Sequence, residues 1–212
     1  MAETISLREK KKAKTKLALL EAALALINEG TFRSVLVDDI CARAEVSKVT
    51  FFKFFPQKEE LLIYFMSIWQ VRCYKELADN GKRGFVAVRH AFSMVAEEAK
   101  KQPGIMLSLI SFLAEQKMHP CVPALSEAEL SLLFPDVEAA QRAEIGSKNM
   151  HQIFEQCVQE AREDGQLVAH VSDEEAVVLL FSMFYGAYLS AHLFHSDDFM
   201  AYYELHLKTL TR

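Results

Sequence analysis

The sequence predicts an all-α protein, and three observations carry that expectation. Glycine (7) and proline (5) are scarce in 212 residues, so little interrupts long helices. Apolar residues recur at three- and four-residue spacing along most of the chain. No run alternates apolar with polar residues well enough for a strand, and there is no internal repeat. With 51% hydrophobic and 25% charged residues the composition is globular, which excludes collagen-like, low-complexity and most all-β classes.

The elements follow in order. Leu17, Leu20, Leu24 and Ile27 share one face of a first helix that stops near Gly30. A loop over 31–36 leads to a helix over 37–44, a turn of Glu45, Val46 and Ser47, and a helix over 48–55 closed by Pro56. Asp38 and Asp39 favour the start of the former through the helix dipole. Ser47 is placed to cap the latter, and Val46 is an apolar plug in the turn. Phe51 and Phe55 lie four apart on a face that can pack on the preceding helix, which leaves Lys48, Val49, Thr50 and Lys53 largely on the other side. A long helix over 58–79 breaks at Asn80–Gly81. Two more are bounded by Pro103–Gly104 and by 119–123. Residues 137–163 read as one helix ended by Asp164–Gly165, and an apolar helix and a last one over 198–210 complete the chain.

The apolar stretch 176–194 holds 19 residues without a formal charge, long enough in principle to cross a bilayer. Its flanks are acidic (Asp173, Glu174 and Glu175 before, Asp197 and Asp198 after) and lack the lysine or arginine that anchors a span. It reads as a helix buried between protein layers, with no membrane partner. Cys41, Cys73, Cys121 and Cys157 show no C-x-x-C spacing and read as reduced thiols. The opening MAETISLREKKK has no apolar core of signal-peptide length, so the expected location is the cytoplasm.

Charge is unevenly placed. The net −5 divides into +2 over residues 1–60 and −7 over 61–212. Arg8, Lys10, Lys11, Lys12, Lys14 and Lys16 fall within nine positions, with only Glu9 against them. A basic arm on an acidic protein is a footprint of nucleic-acid contact, and a solvated terminus has the same charge. The helix over 48–55, short and offering small and cationic side chains outward, is of a kind the major groove accepts.

The stretch VDDICARAEVSKVTFFKFFPQKEELL over 37–62 strongly resembles the DNA-binding domain of the tetracycline-repressor (TetR) family of bacterial transcriptional regulators. The residues that carry the resemblance are Val37, Asp39, Ile40 and Ala44, then Val46, Ser47, Lys48, Thr50 and Phe51, then Phe55, Pro56, Lys58, Glu59 and Leu61. It covers about residues 14–64. It implies a helix-turn-helix domain over 1–60 with the basic arm, and a helical effector-binding and dimerisation domain over 61–212. It further implies that the helix over 48–55 enters the major groove of operator DNA, with Ser47, Lys48, Val49, Thr50, Phe52 and Lys53 at the interface and Lys58 on a phosphate. The arm then serves the DNA backbone or the adjoining minor groove. The sequence departs from the family at four places. Phe52 stands where tyrosine is usual, and Val49, where glycine is frequent, either touches a thymine methyl or restricts approach. Leu36 and Gln57 replace the usual caps of the second and fourth helices.

For the C-terminal part the resemblance implies a homodimer and a small-molecule pocket suited to an apolar or aromatic effector. Trp69, Phe92 and Ile110 are candidate wall residues, and His151 and Tyr185 candidate polar handles, although packing alone explains such stripes. Within the apolar helix, Phe181, Tyr185, Tyr188 and His192 form one stripe and Val178, Ser182, Gly186 and Leu189 another. Two stripes need two partners, and Ser182, Gly186 and Leu189 are assigned to a dimer interface. No cofactor or metal is expected, although His192 and His195 stand three apart. The motifs G-x-S-x-G, H-E-x-x-H, G-x-x-x-x-G-K-[ST] and G-x-G-x-x-G are all missing, as are the Glu-x-x-His pairs of di-iron bundles. The expected function is a regulator, more a repressor than an activator, released from a palindromic operator by its effector. The alternatives are a helical regulator or scaffold without an effector, and a helical-bundle enzyme.

Overall fold

The computed structural model describes residues 5–27, 32–116 and 122–212. Among them the regular structure is helical, with one 3-10 turn (Phe32–Ser34) and an isolated bridge between Leu167 and Thr211. The helices are α1 (Leu7–Ile27), α2 (Val37–Arg43), α3 (Lys48–Phe54), α4 (Glu60–Asp79), α5 (Gly84–Lys101), α6 (Pro103–Gln116), α7 (Glu127–Leu133), α8 (Ala139–Ser147), α9 (Met150–Glu163), α10 (Asp173–Leu193) and α11 (Phe199–Leu207). The stop at Gly30, the boundary at His119 and Cys121 lie outside the described residues. Cys41, Cys73 and Cys157 are free and buried.

The chain divides into two compact units, Met1–Val71 with Gln102–Ser147, and Arg72–Lys101 with Lys148–Arg212. The expected boundary at residues 60 and 61 is one of function, which this division by packing does not test. In the first unit α1 packs against α2, α6 and α7. Its inward stripe is Leu19, Leu20, Ala23 and Ile27, facing a core that includes Ile40, Phe51 and Leu61. The expected stripe was one step off, because Leu17 and Leu24 are only half-buried while Leu19 is fully covered. Ser108 ties the 3-10 turn to α6, since its hydroxyl accepts the Phe32 N–H at 2.9 Å.

The second unit packs α5, α9, α10 and α11 around aromatic side chains. Phe92 stacks on Tyr203 at 4.4 Å and meets Phe154 edge-on at 6.2 Å, and the Tyr203 hydroxyl donates to the Phe184 carbonyl at 2.9 Å. Gly84 opens α5 with φ +54°, and a Cβ there would lie 3.3–3.4 Å from Gln166 and Ala161. Only glycine suits both that backbone and that approach. Its N–H donates to Glu160 Oε2 at 2.8 Å, which fixes the start of α5 on the end of α9.

Three expectations about elements are corrected. Residues 137–163 are two helices, because Asn149 caps a new one: its side chain accepts the Gln152 N–H at 2.9 Å while Gln152 accepts the Asn149 N–H at 3.0 Å. The fourth helix begins at Glu60 rather than Lys58, after a tight turn in which the Gln57 carbonyl, not its side chain, accepts the Glu60 N–H at 3.1 Å. Finally, α7 lies where the sequence pattern had suggested no helix, started by a reciprocal Ser126–Glu129 cap. The apolar helix α10 (mean hydropathy 1.6) is long and apolar enough to cross a membrane by length and composition. Within its unit it buries Leu180, Met183, Phe184, Ala187, Tyr188 and Ala191, so its covered side lies opposite the row of Val178, Ser182, Gly186 and Leu189 and shares only Tyr188 with the other expected stripe.

Candidate nucleic-acid interface

The candidate interface is built on two short helices joined by a strained turn. Glu45 occupies the left-handed region at φ +55°, and the Val46 N–H closes the turn on the Cys41 carbonyl at 3.0 Å. Leu36 precedes α2 without making a side-chain cap. Ser47 does cap α3, accepting the Thr50 N–H at 3.2 Å, and its hydroxyl lies 3.0 Å from that of Thr50. Phe51 (0% exposed) and Phe55 (3%) anchor the inner face. Phe55 continues into Tyr64 of α4 at 5.5 Å between rings. Anchoring two aromatics inward fixes the rotation of a seven-residue helix that could not hold its own orientation in water.

The outer face of α3 is consequently set. Lys48, Val49, Phe52 and Lys53 are exposed and Thr50 is half-buried at its margin. Lys48 Nζ lies 2.5 Å from Asp38 Oδ1 of α2, an exposed pair that water and DNA can compete for. Among the described residues no ion pair or hydrogen bond engages the Lys53 side chain.

The basic segment is not an arm. It forms the first turns of α1, begun by a Ser6–Glu9 cap in which Glu9 accepts the Ser6 N–H at 2.8 Å and hydroxyl at 2.6 Å. Lysine, arginine and alanine are good helix formers, and the S-x-x-E pattern was present in the sequence as a start signal. Being helical, the segment places its cations in register. Arg8, Lys11, Lys12 and Thr15 of α1, with Leu7, line one side of an open cleft of about 570 Å³, and Thr50, Lys53 and Phe54 of α3 line the other. Four cations around one open concavity focus a positive field, which raises the local concentration of a polyanion.

Two lysines serve the fold. Lys16 turns inward, its ammonium 2.5 Å from Glu129 Oε1 of α7 and 4.2 Å above the Tyr64 ring. Burial would raise the Glu129 carboxyl, but hydrogen bonds from Lys16 and from the Ser126 hydroxyl and N–H, with the Lys16 charge, outweigh it and hold the group below its ordinary value. Lys58 donates to the carbonyls of Phe32 (3.0 Å), Arg33 (3.1 Å) and Val35 (2.9 Å). An ammonium has three donors, and all three are committed to this turn. Sequence spacing gave no sign of either role, because both partners are distant in the chain.

The effector candidates divide between the units. Trp69 on α4 and Ile110 on α6 are half-buried in the first. In the second, Phe92 is wholly covered, and Tyr185 is half-buried 5.1 Å from Phe184, its hydroxyl pushed up to about 12 by burial. His151 is exposed, 3.3 Å from Glu155 and 6.1 Å from the Phe181 ring. Phe92, Tyr185 and His151 thus border one aromatic cluster. Ser182, Gly186 and Leu189 all lie on the open side of α10, with Val178 (64% exposed) and Leu193 (65%) extending the row. A Cβ on Gly186 would meet nothing within 4 Å, so the glycine faces away from its own unit's packing. His192 stacks on Tyr188 at 6.4 Å and His195 sits beyond the helix at φ +54°. Among the described residues no three His, Cys, Asp or Glu side chains gather to hold a metal ion.

Residues 19–65 match the model of the family described as bacterial regulatory proteins, tetR family. No curated protein matches the chain. Several solved structures share its fold. The reduced form of E. coli NemR is similar with a TM-score of 0.60 at 17% identity, over 93% of this chain and 98% of that one. A TetR family transcription regulator from Marinobacter aquaeolei VT8 gives 0.56 at 15% identity, over 97% and 99%. Regulatory protein TetR from Rhodobacter sphaeroides gives 0.56 at 17% identity, over 93% and 99%.

Proposed function

We propose that this chain, whose residues 19–65 match the model of bacterial regulatory proteins of the tetR family, is a cytoplasmic repressor that binds a palindromic operator as a homodimer. The observation that carries this reading is the pairing of the exposed face of α3 with the cationic cleft beside it. The α3 face enters the major groove, with Lys53 and Val49 at base edges and Lys48, Thr50 and Phe52 at the margins, while Ser47 holds the helix start. Arg8, Lys11 and Lys12 take phosphates, giving affinity without sequence. Lys58 takes no phosphate in this reading, because its donors hold the 32–35 turn. Residues 1–60 serve DNA, and 61–212 serve effector binding and dimerisation. The chain has no catalytic role.

The homodimer forms through the open row of α10, Val178, Ser182, Gly186, Leu189 and Leu193, with exposed Leu205 of α11 beside it. Gly186 in mid-helix costs roughly 0.5–1 kcal/mol against alanine, and the close approach of a second backbone repays it. An apolar or aromatic effector in the C-terminal domain shifts α4, which changes the spacing of the two α3 helices. Half-sites repeat at about 34–36 Å or its multiples, so a small change in spacing costs affinity. The effector acts only through its different affinity for the two arrangements.

Selection of bound duplexes from a randomised library tests the reading. An inverted repeat is the expected product. Duplexes without any consensus, retained only at low salt, would contradict it.

A further inference from the structure

We propose that Val49 is a thymine reader: the outer face of α3 selects its operator by apolar contact with thymine 5-methyl groups in the major groove, with Phe52 beside it. This rests on the reading of α3 as the recognition helix.

Val49 is 81% exposed and Phe52 48% exposed, three residues apart and therefore on one helix face. Two polar neighbours that could read bases by hydrogen bonds are engaged within the protein in the absence of DNA, although the exposed Lys48 pair is one that DNA can compete for. Lys48 is paired to Asp38 at 2.5 Å, and the Thr50 hydroxyl sits 3.0 Å from that of Ser47. Hydrogen-bond readout from this face falls chiefly on Lys53, and a lysine, as a donor, reads guanine O6 and N7 rather than the thymine edge. The cations of α1 meet phosphates, which carry no sequence. What remains on this face to recognise thymine is the apolar pair. In the major groove the one apolar feature among the four base pairs is the thymine methyl. Valine suits it, because a β-branched side chain on a helix is nearly fixed at χ1 and loses little freedom when it docks. The positive cleft beside the face supplies the charge complementarity that brings a duplex, rather than an apolar protein surface, to it.

The experiment uses the full chain and two randomised duplex libraries, one made with thymidine and one with deoxyuridine throughout. Deoxyuridine removes the methyl and keeps every hydrogen-bonding group. The thymidine library should yield a consensus containing thymine. Its deoxyuridine counterpart should bind about four-fold more weakly per contacted methyl, the value of one buried carbon group, and about fifteen-fold more weakly for two half-sites. Val49→Ala should bring the thymidine-to-deoxyuridine ratio toward one at a single position, whatever it does to overall affinity. Equal binding of the selected duplex and its deoxyuridine counterpart, or full discrimination retained in Val49→Ala, would overturn the thymine assignment while the consensus left the DNA-binding reading standing. Failure to select or bind any duplex would overturn that reading and this inference with it.

Discussion

Lys53 and Lys58 look alike in sequence, five residues apart, and the structure gives them opposite work. Lys53 projects from α3 into the cleft. Lys58 is spent on three carbonyls of the 32–35 turn. Lys53→Ala should therefore weaken duplex binding and relax preference at one base pair with the melting temperature unchanged. Lys58→Ala should lower the melting temperature, because the part-buried carbonyls of Phe32 and Val35 lose their donor, at about 1 kcal/mol or more each. Circular-dichroism melts alongside anisotropy titrations separate the two, and equal behaviour of the variants would refute the division. Glu129 adds a pH prediction. Its carboxyl is held below the ordinary value of 4.5, so the stabilisation it supplies is complete above that value and is lost as pH falls through the lower folded-state value. Glu129→Gln should cost about 3 kcal/mol at pH 7, where Lys16 loses its partner. In denaturant titrations the gap to wild type should narrow as pH falls below about 4. A gap independent of pH would show that the ion pair is not its source. Local signals in the sequence were sufficient for Ser47 as a cap and for Phe51 and Phe55 as anchors. They were silent on Lys16–Glu129, where the partners are over a hundred residues apart.

At the scale of elements, what the sequence made legible depended on periodicity and breakers. Helices with an apolar stripe and a clear stop, such as α2, α3, α5 and α10, were found close to their bounds. The first turns of α1 were read as a charged arm because they have no apolar face, although Ser6–Glu9 starts them and their residues favour helix. The division of α8 from α9 was missed because Lys148 and Asn149 interrupt the helix by capping chemistry rather than by proline or a glycine pair. On α10 the row of Ser182, Gly186 and Leu189 does lie on the open side, but of the stripe Phe181, Tyr185, Tyr188 and His192 only Tyr188 is buried, for a different reason. A helix with apolar residues all round has no pattern to say which side is covered. The turn between α2 and α3 carries a prediction of its own. Glu45 stands at φ +55°, where an L side chain costs about 1–2 kcal/mol. Glu45→Gly should raise stability by up to about 1 kcal/mol after the added entropy of glycine in the unfolded chain. Urea titration measures this, and a fall in stability would mean that the Glu45 side chain contributes a compensating contact.

At the scale of the whole molecule, the reading joins a DNA-binding face on α1 and α3 to a dimer face on α10 and α11. Gly186→Leu tests the second. A Cβ at this position meets nothing within 4 Å in its own chain, so the fold should tolerate the substitution while the dimer separates, and operator affinity should fall because two linked half-sites bind far more tightly than one. Sedimentation as a dimer with unchanged DNA affinity would contradict the assignment. The first face is the central claim, and salt dependence tests it most directly. For a selected duplex, the slope of log affinity against log salt should become shallower by about two units in an Arg8→Ala, Lys12→Ala, Lys53→Ala variant, with loss of binding at physiological salt and an unchanged melting curve. A triple variant that keeps the wild-type slope and affinity would show that DNA does not enter this cleft.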